Sequence, residues 1–332
     1  MNHTVRKGAR IRPGAASEGK IAPEPALVQC GGQPTRPTPG TLAEAPRGSL
    51  SAWVRAGSTG RRLILISQGF FHGGRGSAVD DAARRAAEVL IAARGRAFAF
   101  TGAGVSTESG IPDFRGPSGL WKRIPPEVFS IEYFFEYPGE AWRLYSELYA
   151  VLRSARPNPA HHALARLEKL GVIEAVVTQN IDGLHQAAGS RVVELHGTAG
   201  RAVCLSCGAR YPVEEALRVI RRGDVPRCPR CGGLLKPDAV FFGEPLPEEA
   251  LAEAFRLASR ARAVLVVGTS LQVYPAALVP EEAARRGARL VIVNLEPTPL
   301  DWRAEVVVRE SAARFLPRLV EEVERLLSGK DD

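Results

Sequence analysis

The sequence predicts an α/β fold, with a parallel sheet covered by helices on both faces and a smaller second lobe. Short apolar runs rich in Val and Ile alternate with segments of helical periodicity along residues 79–332. The runs are uninterrupted, which is typical of strands buried on both faces of a parallel sheet. Two stretches break this rhythm, residues 118–157 and 200–236, and we expect them to be insertions that form the second lobe.

The predicted elements follow one another from residue 82 onwards. Apolar residues at helical spacing over 82–93 predict a helix that ends at Gly95. Apolar runs predict buried strands at 97–100, 173–177, 192–195, 263–267 and 290–293. Helical patterns predict helices at 160–170, 247–261, 279–286 and 315–327. Strands that alternate with helices in this way indicate a Rossmann-like, doubly wound sheet.

Residues 1–78 differ from the rest of the chain in composition and charge. They contain 13 Gly and 7 Pro, and 11 Lys and Arg against 3 Asp and Glu, whereas residues 79–332 hold 33 basic and 33 acidic residues. The apolar run at 63–66 is too short to found a core, so we expect a disordered basic extension. A nucleic-acid-binding arm is the alternative, although dense basic blocks and interleaved aromatic residues are lacking. Because Met1 is the only methionine, translation that starts near Val79 is a further hypothesis.

The composition excludes several classes of protein. The charge-neutral body argues against direct binding of nucleic acid by residues 79–332. No apolar stretch is long enough to span a membrane, and the first residues lack the apolar region of a secretory signal. Five cysteines are too few for a disulfide scaffold. We therefore expect a cytoplasmic protein whose cysteines bind a metal.

Four of the five cysteines form two Cys-x-x-Cys pairs. The pairs are Cys204 with Cys207 and Cys228 with Cys231, separated by 20 residues. This spacing is typical of a four-thiolate Zn²⁺ site, in which each pair presents two sulfurs to one ion. Because all four positions are cysteine, no coordination position is left for water, and we expect the zinc to be structural. Four unrelated thiols are the alternative.

A glycine-rich turn follows the first predicted strand. Residues 102–104 read Gly-Ala-Gly and lead into a polar stretch that predicts the start of a helix. Glycines let the backbone approach a pyrophosphate, and a helix N-terminus supplies N–H donors, so we expect a phosphate cradle here. The third glycine of the dinucleotide fingerprint is absent, because Thr107 occupies its position. A tight turn without a ligand is the alternative.

Polar residues follow the other predicted strands, at the edge where a doubly wound sheet binds its ligands. Gln179, Asn180 and Asp182 follow the second strand, and His196 follows the third. Histidine is the side chain best suited to act as a general base at neutral pH. A helix cap would explain Asn180 or Asp182 alone, and a single histidine often has a structural role. Candidate ribose and adenine contacts follow the last two strands, at 268–270 and 294–296.

Together these motifs resemble the sirtuin family of NAD⁺-dependent protein deacylases, over about residues 82–327. The likeness rests on several long motifs in a fixed order, in addition to the four cysteines. They are Gly102-Ala-Gly-Val-Ser-Thr-Glu-Ser-Gly-Ile-Pro-Asp-Phe-Arg115, Thr178-Gln-Asn-Ile-Asp182, Leu195-His196-Gly197, Lys236-Pro-Asp-Ala-Val-Phe-Phe-Gly-Glu244, Gly268-Thr-Ser270 and Asn294.

The resemblance implies a set of cofactor-binding and catalytic residues. The implied pyrophosphate contacts are Gly102, Ala103, Gly104 and Thr107. A flexible cofactor loop is implied to carry Asp113, Phe114 and Arg115, with Trp121 as a further contact. Nicotinamide and its ribose are implied to contact Gln179, Asn180, Ile181 and Asp182. The implied adenosine contacts are Gly268, Thr269, Ser270, Asn294, Leu295, Glu296 and Ala312. The implied catalytic residues are His196, Asn180 and Asp182.

The same resemblance implies the reaction and the substrate. The amide oxygen of an acyl-lysine attacks C1′ of the ribose as nicotinamide leaves, and His196 helps a ribose hydroxyl to take over the acyl group. Free lysine and an O-acyl-ADP-ribose are released, so NAD⁺ is consumed as a co-substrate. An extended acylated peptide is implied to pair with one segment at Val240, Phe241, Phe242 and Gly243, and with a second at 272–274, including Val273 and Tyr274. Phe242 and Val273 are implied to wall an apolar tunnel for the lysine.

Two positions depart from family patterns. Family members that prefer succinyl or malonyl groups carry a Tyr-x-x-Arg pair, whereas here Tyr145 is followed at that spacing by Leu148. We therefore expect a neutral acyl group such as acetyl. Ala239 stands where a larger β-branched residue is common in the family.

Two other functions stay open at this point. Protein mono-ADP-ribosyl transfer could use the same site, with a protein nucleophile in place of the amide oxygen. A zinc-ribbon module that binds a nucleotide without turnover is the second alternative. Asn180, Asp182 and His196 together argue against the second, because binding alone requires none of them.

Overall fold

The computed structural model describes residues 64–66, 75–113, 119 and 124–329, which all lie in one compact unit, Thr59–Asp332. In chain order the strands are β1 (Ile64–Ile66), β2 (Ala97–Thr101), β3 (Val176–Thr178), β4 (Val192–Glu194), β5 (Gly197–Cys204), β6 (Arg210–Pro212), β7 (Leu235–Ala239), β8 (Ala263–Val267), β9 (Arg289–Val293) and β10 (Val306–Val308). The helices are α1 (Arg75–Ala92), α2 (Ile131–Glu136), α3 (Pro138–Ser154), α4 (Pro159–Lys169), α5 (Leu184–Ala187), α6 (Val213–Ile220), α7 (Glu248–Arg260), α8 (Leu278–Arg285) and α9 (Ala312–Leu327).

The larger lobe is built on a seven-stranded parallel sheet, which confirms the predicted fold class. Its strand order is β1-β10-β9-β8-β2-β3-β4, and every pairing within it is parallel. The chain moves outwards from β2 through β3 and β4 on one side, and from β8 through β9 and β10 on the other. The direction of winding therefore reverses between β2 and β8. In such sheets ligands bind outside the carboxyl ends of the strands at this point.

Helices cover both faces of the sheet, which explains why its strands are uninterrupted apolar runs. Helices α1, α4 and α9 pack on one face, and α7 and α8 pack on the other. Successive side chains of a strand point to opposite faces. In β2, Ala97 and Ala99 accordingly pack towards α1, whereas Phe98 and Phe100 pack towards α7 and α8. Both faces of the central strands are thus removed from water.

The two insertions form the smaller lobe together, as predicted. A three-stranded antiparallel sheet with the order β6-β5-β7 packs with α3 and α6 around a separate apolar core. The two buried aromatic residues of α3 join the insertions. Trp142 Nε1 donates to Leu235 O at 2.8 Å, and the Tyr145 hydroxyl donates to Ala199 O at 3.1 Å.

The N-terminal boundary of the fold differs from the expectation. Residues Ile64–Ile66, which the composition assigned to the extension, form an edge strand whose Ile64 pairs with Val306 of β10. A run too short to found a core can still extend an existing sheet by main-chain hydrogen bonds. Helix α1 begins at Arg75 rather than near residue 82, so Val79 lies inside a helix. Residues 1–63 and 67–74 of the predicted extension lie outside the described residues.

Several elements were not predicted from the sequence. Strand β10 is an apolar run like the others but has only three residues, Val306–Val308. The strands of the smaller lobe are mixed in polarity and lack the apolar pattern of the central sheet. Among the described residues, no helix combines the length and apolarity that crossing a membrane requires.

Candidate active site

A cavity of about 830 Å³ lies at the carboxyl ends of β2 and β8. This volume is in the range of sites that bind small-molecule ligands. All the described residues that the sequence assigned to catalysis, cofactor or substrate line it. They are Gly102, Ala103, Gly104, Thr107, Asp113, Gln179, Asn180, Ile181, Asp182, His196, Val240, Phe241, Phe242, Gly243, Gly268, Thr269, Ser270, Val273, Tyr274, Asn294, Leu295, Glu296 and Ala312. The predicted contacts Phe114, Arg115 and Trp121 lie outside the described residues.

The glycine turns that follow β2 and β8 pack against each other. The Gly104 N–H donates to Gly268 O at 2.8 Å. A Cβ on Gly104 would lie 2.8 Å from Gly268 Cα, and a Cβ on Gly102 would lie 2.7 Å from Thr269 Cβ. Gly268 has a φ of 60°, in the left-handed region that favours glycine. These glycines are therefore required by the contact between the two turns, whereas the sequence predicted a phosphate cradle, with a tight turn as the alternative.

The stretch after β2 differs from the predicted helix start. Residues Ala103–Val105 and Thr107–Ser109 form two short 3₁₀ turns instead of an α-helix. Within residues 102–107, four N–H groups donate to carbonyls of the protein, namely those of Gly102, Gly104, Val105 and Ser106. A phosphate cradle here would rest on the two remaining N–H groups of residues 102–107. The helix N-terminus that the sequence predicted does not contribute.

Gln179 and Asn180 connect the end of β3 to both glycine turns. The Gln179 amide donates to Thr269 Oγ1 at 2.9 Å. The Asn180 amide donates to Gly102 O at 3.1 Å and to Ser106 Oγ at 3.2 Å. The polar cluster after β3 therefore fixes the relative position of three strand ends around the cavity.

The carboxylate of Asp182 is held by two donors. Its Oδ2 accepts from the Ser106 hydroxyl at 2.7 Å, and its Oδ1 accepts from the Leu184 N–H at 2.9 Å. The second bond reaches the first residue of α5, but the N-cap of that helix is Gly183, so neither Asn180 nor Asp182 caps it as the alternative interpretation proposed. Burial raises the pKa of Asp182, and the hydrogen bonds to its carboxylate oppose that rise.

Two buried histidines lie behind this network, and the sequence analysis did not assign them. His161 Nδ1 accepts the Asn158 N–H at 3.2 Å, so the neutral ring carries its proton on Nε2, 3.4 Å from Ser106 Oγ. His185 Nε2 lies 3.0 Å from Thr101 Oγ1, and the two ring centroids are 4.8 Å apart. Burial lowers the pKa to about 4 for His161 and about 3 for His185. Both rings are therefore neutral at pH 7.

His196 has the geometry of a general base. Its Nδ1 lies 2.8 Å from Gln179 O. Because a carbonyl oxygen only accepts, Nδ1 carries the proton of the neutral ring, and Nε2 keeps its lone pair. Burial lowers the pKa of His196, while the bond to Gln179 O opposes this. The ring is therefore neutral at pH 7 and able to accept a proton at Nε2.

A half-buried ion pair supports the turn after β9. The side-chain amide of Asn294 donates to Glu296 O at 2.7 Å, and the main-chain carbonyl of Asn294 accepts from Arg309 Nη1 at 3.1 Å. Arg309 forms an ion pair with Asp301, whose carboxylate also accepts from the Thr298 hydroxyl. Residues 294–296 are thereby fixed along the wall of the cavity.

Part of the predicted peptide groove is already paired within the protein. The Phe242 N–H donates to Phe129 O, and its carbonyl accepts from the Ile131 N–H, both at 2.9 Å. The Val240 N–H donates to His196 O at 2.9 Å. An added peptide strand could use only the main-chain groups of 240–243 that these bonds leave open. The Phe242 side chain is 46% exposed and faces the cavity.

The charges that line the cavity are of one sign. Glu108, Asp113, Asp182, Glu244, Glu296 and Glu310 line it. Within the described part of the chain, the lining contains no Lys or Arg. A ligand that carries a carboxylate would meet no cation among these side chains.

The four cysteines of the two pairs come together at one end of the smaller lobe. Their sulfurs all lie within 4.8 Å of one another, with 3.5 Å between Cys204 and Cys231 and 3.8 Å between Cys207 and Cys228. Tetrahedral zinc with Zn–S bonds of about 2.3 Å separates its sulfurs by about 3.8 Å. The four thiols therefore fit one Zn²⁺ ion, and none of them lines the cavity.

The sequence of this chain is similar to those of one protein family. A model of the Sir2 family matches residues 102–275. The chain is 52% identical over 239 residues to NAD-dependent protein deacetylase 1 of Pyrobaculum aerophilum, covering 72% of this chain and 94% of that protein. It is 49% identical over 251 residues to the NAD-dependent protein deacylase of Thermococcus kodakarensis, covering 74% and 97%.

Solved structures show the same similarity. A structure of Sir2 with a p53 peptide and NAD⁺ is 46% identical, has a TM-score of 0.66, and is matched over 71% of this chain and 95% of that chain. A structure of Sir2 with a deacetylated p53 peptide and 3′-O-acetyl-ADP-ribose is 45% identical with a TM-score of 0.69, over 72% and 97%.

Proposed function

The chain belongs to the Sir2 family and is an NAD-dependent protein deacylase, and on this premise we propose that it removes acetyl or other neutral acyl groups from lysine side chains. One observation carries the assignment of its general base. His196 lines the cavity with Nδ1 bound to Gln179 O, which leaves the lone pair of Nε2 for proton transfer. We assign the activity to the domain at about 79–332, whose two lobes border the cavity.

The roles of the cavity residues follow from their positions. When bound, NAD⁺ supplies an electrophilic ribose carbon and the ADP-ribose that accepts the acyl group. His196 Nε2 takes the proton of a ribose hydroxyl, and the lowered pKa keeps His196 neutral for this task. Asn180 and Asp182 wall the nicotinamide side, where their side chains are held by Ser106.

The two glycine turns and residue Thr107 hold the pyrophosphate in this proposal, and the adenosine half lies along 294–296 and Ala312. Phe114, Arg115 and Trp121 are proposed as further contacts on the strength of their motif alone. Zn²⁺ at the four cysteines stabilises the fold of the smaller lobe and takes no part in the reaction.

The lining of the cavity supports a neutral acyl group. Tyr145 and Leu148 of α3 both line it, so the position that would carry the arginine of a Tyr-x-x-Arg pair is apolar here. The Tyr145 hydroxyl is also occupied, because it donates to Ala199 O at 3.1 Å. A succinyl carboxylate would thus be buried without a cationic partner among the described lining residues, which is costly.

The proposed substrate is an acetylated segment of another protein. It would lie extended between the segment at 240–243 and the segment at 272–274, with Phe242 and Val273 beside the lysine. Main-chain pairing gives affinity with little sequence selectivity, so we propose a range of acetylated proteins as partners, without a nucleic acid or a membrane. We propose the cytoplasm as the compartment, since four zinc-binding thiols must stay reduced.

The acyl preference is tested with one peptide carrying acetyl-, propionyl- or succinyl-lysine, incubated with the zinc-loaded protein and NAD⁺ and followed by mass spectrometry. We expect NAD⁺-dependent loss of the two neutral groups, with the matching O-acyl-ADP-ribose, and little loss of succinyl. Preferred removal of succinyl would contradict the proposal. A protein that instead gains the mass of ADP-ribose would be a mono-ADP-ribosyltransferase.

A further inference from the structure

The buried lysine of the smaller lobe stands apart from the other charged residues. Lys236 is 3% exposed, and it is the one Lys, Arg, Asp or Glu that is buried among the residues that the structure describes. An ammonium group is rarely removed from water unless it is paired and hydrogen-bonded. Lys236 begins the motif that ends at Glu244, and the sequence predicts no role for it.

The ammonium of Lys236 has an acceptor for each of its three protons. Nζ lies 2.9 Å from Pro237 O, 2.6 Å from Ala239 O and 2.9 Å from Glu244 Oε2. The ring of Phe241 lies beneath it, with the centroid 4.2 Å away. Burial lowers the pKa of Lys236, and the carboxylate of Glu244 opposes this. The Nζ atom of Lys236 thus bonds to residues at both ends of the segment 237–244.

Hydrogen bonds between Glu244 and Phe241 form a turn within the same segment. The carboxylate that pairs with Lys236 also accepts the Phe241 N–H at 2.7 Å, and the Glu244 N–H donates to Phe241 O at 3.0 Å. The Phe241 ring packs edge-on against Phe134 at a centroid distance of 5.8 Å. Both main-chain groups of Phe241 are therefore hydrogen-bonded within the turn, and its side chain packs in the core of the smaller lobe.

This turn carries the wall of the proposed peptide groove. Val240, Phe242 and Gly243 line the cavity, whereas Lys236 does not. Lys236 thus lies behind the wall, where neither a peptide nor NAD⁺ reaches it. The cofactor side of the cavity is formed by other turns, after β2, β3, β8 and β9.

We propose that Lys236 is a positioning residue for substrate binding, whose ammonium sets the conformation of residues 239–244 and thereby the affinity for an acylated peptide. The inference rests on the proposed function. It predicts that removal of the ammonium weakens peptide binding and leaves NAD⁺ binding intact. A misplacement of about 1 Å can lower a reaction rate about 100-fold, and we expect a loss of up to the same size in peptide affinity.

The test compares wild type with Lys236→Met, which keeps the length of the side chain and removes all three donors. The dissociation constant of a fluorescent acetyl-lysine peptide is measured without NAD⁺, and that of NAD⁺ is measured without peptide. We expect the peptide constant to rise about 10- to 100-fold in the variant and the NAD⁺ constant to stay within about twofold. The zinc content should stay at one ion per chain.

Arg201→Met is the matched control. Arg201 of β5 pairs with Asp238 of β7, the strand that also carries Lys236, at 3.0 Å, but half of the Arg201 side chain is exposed, and exposed ion pairs contribute little. Its peptide constant should stay within about twofold of wild type. If Lys236→Met does not fold, Lys236→Gln, which keeps amide donors and no charge, is judged by the same criteria.

Three results would overturn the inference. Peptide binding that is unchanged in the Lys236 variant would refute it while leaving the proposed function in place. Equal weakening of peptide and NAD⁺ binding, with loss of zinc, would indicate a merely structural role. A wild-type protein that binds no acetylated peptide would refute the proposed function and the inference together.

Discussion

Substitution of Asn158 should both lower the stability of the fold and change the conformation of the 3₁₀ turns that follow β2. It caps α4, where Oδ1 accepts the Ala160 N–H at 2.9 Å. Its amide nitrogen donates to Val105 O at 2.9 Å and to Ser109 Oγ at 3.0 Å. One buried side chain therefore stabilises a helix start and the 3₁₀ turns that follow β2.

The expected magnitude follows from these contacts. Loss of an N-cap costs about 1 kcal/mol. A buried carbonyl such as that of Val105, left without its donor, costs about 1–3 kcal/mol. Asn158→Ala removes both and should lower the free energy of unfolding by about 2–4 kcal/mol. Asn158→Ser keeps a good cap and loses the amide donors, so about 1–3 kcal/mol is expected.

Thermal unfolding of the zinc-loaded protein measures the effect. For a domain of this size 1 kcal/mol corresponds to about 2 °C, so Asn158→Ala should lower the Tm by about 4–8 °C. The serine variant should fall between it and wild type, and the KM for NAD⁺ should rise in both. A Tm for the alanine variant within about 1 °C of wild type would refute the reasoning, as would a serine variant that is less stable than alanine.

Three further predictions address the zinc, the buried histidines and the acyl group. Cys231→Ser, or treatment with a strong chelator, should release one zinc ion per chain and unfold the smaller lobe; a zinc-free protein with unchanged circular dichroism and activity would contradict this. In the folded protein the pKa is about 4 for His161 and about 3 for His185, whereas histidines of the unfolded chain bind protons below about pH 6.5. The contribution of these two residues to the free energy of unfolding should therefore be complete above about pH 6.5 and fall progressively towards about pH 4. An equal Tm at pH 7.5 and pH 5 would disagree with that sign. Leu148→Arg places a cation on the cavity wall and should raise kcat/KM for a succinyl-lysine peptide by at least about tenfold, with Leu148→Met as the control that adds no charge; a succinyl activity equal in both variants would count against it.

The central sheet was predictable because burial on both faces leaves a strong signal. Strands such as Ala97–Thr101 and Ala263–Val267 are buried at every position and apolar at all of them except Thr101, and the helices between them are periodic. The same signal failed at Val306–Val308, where three residues are too few to separate a strand from chance. It failed at Ile64–Ile66 because the surrounding residues are rich in glycine and basic residues, and only the pairing with β10 makes this segment a strand.

The cavity residues were predictable where a motif marks a strand end, as at His196 and Asn180. The clustering of the four cysteines was predictable from their spacing alone. By contrast, the support of Asp182 by Ser106 and His161 joins residues from three separate elements, and no local pattern shows it. One signal was available, because His161 stands three residues after Asn158 in the capping-box position of α4. The packing of Gly104 against Gly268 could not be foreseen either, because it depends on the approach of two turns.

The most direct test of the account follows the fate of NAD⁺ and an acetyl-lysine peptide in wild type and in His196→Ala. His162→Ala, which changes an exposed histidine outside the cavity, is the matched control. We predict that wild type and the control convert the peptide to free lysine with O-acetyl-ADP-ribose as the product, and that His196→Ala is slower by about 100- to 10,000-fold. Undiminished deacetylation by His196→Ala would contradict the assignment of the base, and an acetyl peptide left intact by wild type in the presence of NAD⁺ would contradict the function itself.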